Sequence, residues 1–196
     1  MMNIVVKTPK HDVQVELLYG YIRTSEVIVK KELFAKMCKD GCVNFGKKFS
    51  CPPVSPCFHS KKKYLLVIFM RVFLEQFDYK EYHKLRIGNA ILKPRIDLVM
   101  RKLEDKFGGR YYSSGSCRLC KKCGKVCNHP EKMRFSLEST GVDCNQLVKD
   151  VFGLELKWYC AKKAPMYTAV VAGLPVDEKI IITSQSMDQI FEKNKV

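Results

Sequence analysis

Histidine, tryptophan, acidic residues and long apolar runs are all scarce in this chain, which has four histidines and one tryptophan. With only His11, His59, His83 and His129 available, a histidine-built catalytic metal site is not expected. The longest apolar stretch, residues 64–70, is well short of the roughly 20 residues that cross a bilayer, so no membrane association is expected. The opening MMNIVVKTPKHD has no apolar core ahead of its charges, which predicts no secretory signal and a reducing, cytoplasmic setting. G-x-G-x-x-G, G-x4-G-K-S/T, H-E-x-x-H and G-x-S-x-G are absent, which removes the usual signatures of dinucleotide, phosphate-loop, zinc-protease and α/β-hydrolase chemistry. The C-x3-C-x2-C of radical S-adenosylmethionine enzymes fails at Phe45, where its third cysteine belongs. No catalytic acid–base pair stands out.

What the chain does have is cysteine, ten in all, grouped unevenly. Cys117, Cys120, Cys123 and Cys127 follow C-x2-C-x2-C-x3-C, the run that wraps an iron–sulfur cluster in bacterial-type ferredoxins. A zinc site usually takes two cysteine pairs held apart by a longer spacer, and that spacer is missing. A second group, Cys38, Cys42 and Cys51, lies among Gly41, Gly46, Pro52 and Pro53. Four-residue spacing at a helix end puts Cys38 and Cys42 on one face, as neighbouring corners of a centre require. Cys57 and His129 are further possible ligands, although His129 beside Pro130 and Glu131 reads first as a cap. Cys144 and Cys160, in apolar surroundings, read as core.

The balance of 35 basic against 20 acidic side chains gives a net charge of +15. The lysines are scattered in short groups, the distribution of a solvated basic surface, with nucleic-acid binding as the second reading. At 196 residues and 46% hydrophobic the chain can bury a core as one domain. We expect an α+β fold over residues 1–196, with a central mixed sheet, packed helices, and cluster-binding loops at 38–57 and 115–141.

In order, residues 4–6 and 13–18 read as strands, with Gly20 as a break. Ser25 could cap a helix through Val29, Leu33 and Met37, or the β-branched residues 27–29 could be strand. Residues 64–73 are a strand buried on both faces. Asp78 and Glu81 open a helix that Gly88 and Pro94 kink or divide, and its second part stops at Gly108 and Gly109. Residues 110–114 return as a strand, completing a β-α-β unit that sets the cysteine run at a sheet edge. Asp143 and Gln146 cap a helix ending at Gly153. Residues 154–159 and 167–172 are strands, and a terminal helix runs through Met187, Ile190 and Phe191.

The motifs Cys38-x3-Cys42, Asn44-Phe45-Gly46, Cys51-Pro52-Pro53, Gly115-x-Cys117-Arg118-Leu119-Cys120-x2-Cys123, Cys127-x-His129-Pro130-Glu131-Lys132 and Ser136-Leu137-Glu138-x2-Gly141-Val142-Asp143 together carry a resemblance. From about Leu33 onward the chain resembles a family of archaeal and bacterial proteins described as predicted metal-binding proteins of unknown function. Phe135 stands where that family usually has proline. The resemblance implies metal or iron–sulfur binding in anaerobes, with no assigned reaction.

Two ligand assignments stay open. In one, a 4Fe-4S cluster takes Cys117, Cys120, Cys123 and Cys127, and a three-cysteine site takes Cys38, Cys42 and Cys51. In the other, Cys127 joins the second group, as the fourth cysteine does in two-cluster ferredoxins. Three functions follow. The first is electron transfer, or service as an accessory to a redox enzyme, with Lys121, Lys122 and Lys125 docking an acidic redox partner protein. The second is zinc binding with a basic nucleic-acid-binding surface. The third is catalysis at the open iron of a three-cysteine cluster.

Overall fold

A computed structural model of the chain describes residues 2–9 and 12–182. Among these, strands β1 (Met2–Lys7), β2 (Asp12–Arg23), β3 (Tyr64–Phe73) and β4 (Tyr167–Val176) form one sheet in the order β1-β2-β3-β4. Every neighbouring pair is antiparallel, so the expected mixed sheet is a uniform one. Helices α1 (Lys31–Gly41), α2 (Glu81–Phe107) and α3 (Cys144–Phe152) complete an α+β arrangement.

The unbroken apolar run of β3 has its physical reason in two helices, one on each face. Leu66, Ile68, Met70 and Val72 turn to α2, where Leu92, Ile96, Val99, Met100 and Leu103 cover them. The alternate residues Leu65, Val67 and Phe69 turn to α3 and pack with Leu137, Val142, Leu147 and Val148. Burying each such side chain stabilises the fold by about 1.5–3 kcal/mol, which makes β3 the anchor for everything built around it.

Two glycines that read as breaks are close-approach positions instead. β2 runs straight through Gly20, where a Cβ would lie 2.5 Å from Val151 Cγ1 of α3. A Cβ at Gly88 would lie 2.5 Å from Thr168 Cγ2 and 3.0 Å from Val72 Cγ1, so bare backbone lets α2 settle on the sheet. α2 is accordingly one continuous helix with Pro94 inside it, and it starts without a side-chain cap. Buried Ile91, Leu92 and Ile96 hold it to the sheet on either side of the proline.

Asp143 caps α3 as expected, its Oδ1 accepting the Gln146 N–H at 3.1 Å, and Gly153 ends it in the left-handed region. Ser25 caps nothing: a 3-10 turn covers Thr24–Glu26, Val29 forms an isolated bridge with Val142, and α1 begins only at Lys31. Residues 110–114 make isolated bridges, Tyr112 with Gly173 and Ser113 with Ser136, in place of the expected strand and β-α-β unit. They still bring the cysteine run to the free edge of β4, as the sequence suggests. Among the described residues, 154–159 form no strand. The expected terminal helix through Met187, Ile190 and Phe191 lies outside the described residues.

Candidate metal centre

The first cysteine loop starts at the end of α1. Cys42 caps that helix, its N–H donating to the Cys38 carbonyl at 2.9 Å, so the two cysteines sit one turn apart as their spacing predicts. The chain then winds through successive turns, with Phe45 N–H on the Cys42 carbonyl, Lys47 N–H on that of Asn44 and Cys51 N–H on that of Lys48. Gly46, at φ +65°, turns its N–H onto the Pro52 carbonyl at 2.9 Å, which explains the pairing of Asn-Phe-Gly with Cys-Pro-Pro. Cys51 is buried, Cys38 half-buried, and Cys42 and Cys57 exposed.

The second loop, the cysteine run, is fastened to α2 at both ends. Arg118 donates to the Asp97 carboxylate at 2.7 Å and to the Lys93 carbonyl at 2.5 Å, while Ser113 Oγ donates to Asp97 at 2.5 Å. Past the run, Arg134 pairs with Glu104 and donates to the Glu131 and Met133 carbonyls, and Arg110 holds the Pro130 and Met133 carbonyls. Burial pushes the Glu104 carboxyl up, but the Arg134 hydrogen bond, the Tyr111 N–H and the nearby Arg134 and Arg101 charges outweigh it and hold it below its ordinary range.

A third element clamps the loops together. In the turn Glu138–Thr140, the Ser139 carbonyl accepts from Lys31 Nζ and Ser55 Oγ, both at 2.6 Å, and the Thr140 carbonyl accepts the Phe58 N–H at 2.8 Å. The Gly141 carbonyl accepts the Lys30 N–H at 2.7 Å. Gly141 itself has φ +91° and lies so close to α1 that a Cβ would stand 2.6 Å from Lys31 Cα. The Ser-Leu-Glu-x2-Gly-Val-Asp motif is thus the joint between the helix that bears Cys38 and the segment that closes the cysteine run.

The two cysteine loops touch directly. Ser50 Oγ accepts the Cys117 N–H at 2.9 Å and lies 3.8 Å from Cys51 Sγ, and Lys48 Nζ donates to the Cys120 carbonyl at 2.8 Å and to that of Lys121 at 3.2 Å. Cys117, Cys120, Cys123 and Cys127 all line one cavity wall, together with His129 and the apolar Phe49, Leu119, Val126 and Met133. A wall of four thiols in an apolar setting is a soft donor set that fits a thiophilic metal or cluster. Among the described residues, no three His, Cys, Asp or Glu side chains already stand as a closed ligand set.

Cys38, Cys42 and Cys51 share one electrostatic neighbourhood. Burial pushes the Cys38 thiol up, Cys42 and Glu138 add to the shift, and Lys31 opposes it. Burial likewise raises Cys51, opposed by its Ser50 hydrogen bond and by Lys48, with Cys42 and Cys38 adding. Cys57 lies near the same Lys31 and near Tyr112. The His129 carbonyl opens a turn, accepting from Lys132 and Met133 N–H. Lys121, Lys122 and Lys125 are exposed on the cysteine run. Cys144, the first residue of α3, is buried in the core, as expected, whereas Cys160 is exposed at a turn with Lys163 and is not core.

Sequence reasoning missed Asp97, Glu104, Lys31 and Ser50, the groups that hold the loops. Asp97 and Glu104 are seven apart on α2, the spacing of one helix face, and that was the one available signal. No curated protein and no solved structure matches the chain significantly. One family model does, over residues 20–172, which takes in both cysteine loops and the clamp between them. The chain belongs to the family described as predicted metal-binding protein (DUF2284).

Proposed function

We propose that this chain is an iron–sulfur protein of the 4Fe-4S type that transfers electrons or serves as an accessory to a redox enzyme in an anaerobic cytoplasm. The observation that carries the reading is the single wall lined by Cys117, Cys120, Cys123 and Cys127, whose spacing suits one polynuclear centre rather than a lone zinc ion. Those four residues would hold the cluster, and Cys38, Cys42 and Cys51 would hold a second centre. A bound cluster supplies a one-electron redox centre.

The surrounding residues suit that role. Leu119 and Val126 are 40% and 72% exposed beside the thiol wall, so the centre lies near the surface, within reach of a partner. Lys121, Lys122 and Lys125 ring the same loop and offer an acidic redox protein a complementary face. Their positive charge also favours the more reduced, more negative state of the centre. Lys48, drawn in by the Cys120 and Lys121 carbonyls, adds a fixed charge from the other loop.

Redox cycling tests the proposal. Protein prepared without oxygen should lose its visible absorption on addition of dithionite and regain it with a mild oxidant, without loss of iron. Colourless protein that holds zinc and binds RNA or DNA in a salt-dependent way would instead establish the nucleic-acid reading.

A further inference from the structure

A second cavity, of about 370 Å³, lies between helix α2 and the outer edge of β4 and shares no lining residue with the cysteine wall. Asn89 and Lys93, one turn apart on α2, line it together with Trp158. The floor is the edge strand itself, residues 168–171. Gly173 exchanges both backbone hydrogen bonds with Tyr112, at 2.7 and 2.9 Å, on the side away from β3. In an antiparallel strand that orientation recurs at every second residue, so Val171 and Ala169 turn their N–H and C=O groups outward as well. Pro175 occupies the same parity, where a missing N–H removes no ladder bond. Among the described residues, no backbone group pairs with the outward groups of Ala169 and Val171.

The inner end of the cavity is polar. Glu138 lines it beside Ser114, Gly115 and Lys93; its carboxyl is held by Ser136 and the Gly115 N–H, yet its buried Oε2 accepts no hydrogen bond among the described residues. A buried polar atom without a partner is rare in a native protein and marks a place where a donor belongs. An unpaired strand edge, an apolar-rimmed cavity in the size range of about 300–1,000 Å³ and a polar end suit a ligand with a peptide backbone.

We propose that this cavity binds a peptide of two or three residues, which extends the sheet by pairing with Ala169 and Val171 and directs an N–H donor toward Glu138. The ligand would lie against Ser114 and Gly115, the residues that lead into the cysteine run, but its binding does not depend on a metal.

Trp158 is the one tryptophan of the chain and lines this cavity, so its emission reports occupancy. Titration of the full chain with trialanine should change that emission saturably. Trisarcosine, of equal length but without amide N–H groups, should bind about tenfold more weakly, the loss expected for an unmade hydrogen bond. Ala169→Pro removes one outward N–H while sparing the ladder to β3, and should weaken trialanine about tenfold with the fold intact by circular dichroism. No saturable response of the unsubstituted chain to trialanine, or equal binding of trialanine and trisarcosine to it, overturns the proposal.

Discussion

Arg118 and Asp97 form a 2.7 Å ion pair that ties the residue after the first cysteine of the run to the middle of helix α2. Arg118 is 37% exposed, so solvent screening keeps the pair's contribution to global stability within about 1 kcal/mol. Its weight lies in holding the loop. Arg118→Ala should leave the melting temperature nearly unchanged while speeding metal loss to a chelator about tenfold, the scale of a lost supporting contact around ligands. Equal chelation kinetics in the two proteins would remove Arg118 from the site.

The joint at Gly141 is predicted to be intolerant of any side chain. Gly141→Ala combines a left-handed backbone with a Cβ 2.6 Å from Lys31 Cα, and should cost about 3 kcal/mol in thermal or denaturant unfolding. Gly46 is the control: its φ is also positive, at +65°, but nothing lies within 4 Å of its would-be Cβ. Gly46→Ala should cost only about 1 kcal/mol.

Acid should loosen the segment past the cysteine run. The carboxyls of Glu104 and Asp143 have folded-state pKa values below their ordinary 4.5 and 3.8, because Arg134 and Lys30 outweigh the burial that opposes them. Groups depressed in this way stabilise the fold above their unfolded values and lose that contribution as pH falls through the folded ones. Their share of the stability measured by urea unfolding should therefore hold down to about pH 4.5 and drop below it, while Glu138, pushed up by burial, acts in the opposite sense. Arg134→Ala, which strands a carboxylate that is 12% exposed, should cost about 3 kcal/mol near neutral pH and shrink the acid-dependent drop.

The cysteines should divide by role. Cys144→Ala, at the buried start of α3, should cost about 1 kcal/mol of stability with metal content unchanged. Cys51→Ala, beside Ser50 and in the field of Cys38 and Cys42, should lower metal content instead. Metal analysis of the two purified variants separates core cysteine from ligand cysteine.

These contrasts mark where sequence reading succeeds. The burial of β3 on both faces is legible because a short apolar run without alternation can keep both its faces from water only between two packed layers. The α3 cap is legible because Asp143 and Gln146 act locally. Gly20 and Gly88 read as breaks because a breaking glycine and a packing glycine look alike until Val151 and Thr168 are seen across from them. Residues 154–159 have strand composition but no partner strand among the described residues, and strand is a property of the neighbour as much as of the residue. The cysteine groups announce themselves through spacing, whereas Asp97, Lys31 and Ser50 hold the loops through contacts between distant parts of the chain that no local pattern encodes.

The most direct test of the central claim is iron, zinc and acid-labile sulfide content on protein purified without oxygen, with Cys120→Ala alongside. The account predicts about four or eight irons per chain with matching sulfide and a broad visible absorption, since one or two 4Fe-4S centres are proposed. Loss of at least half of that iron in the variant would tie it to the cysteine run. Stoichiometric zinc without iron or sulfide in colourless protein would contradict the account.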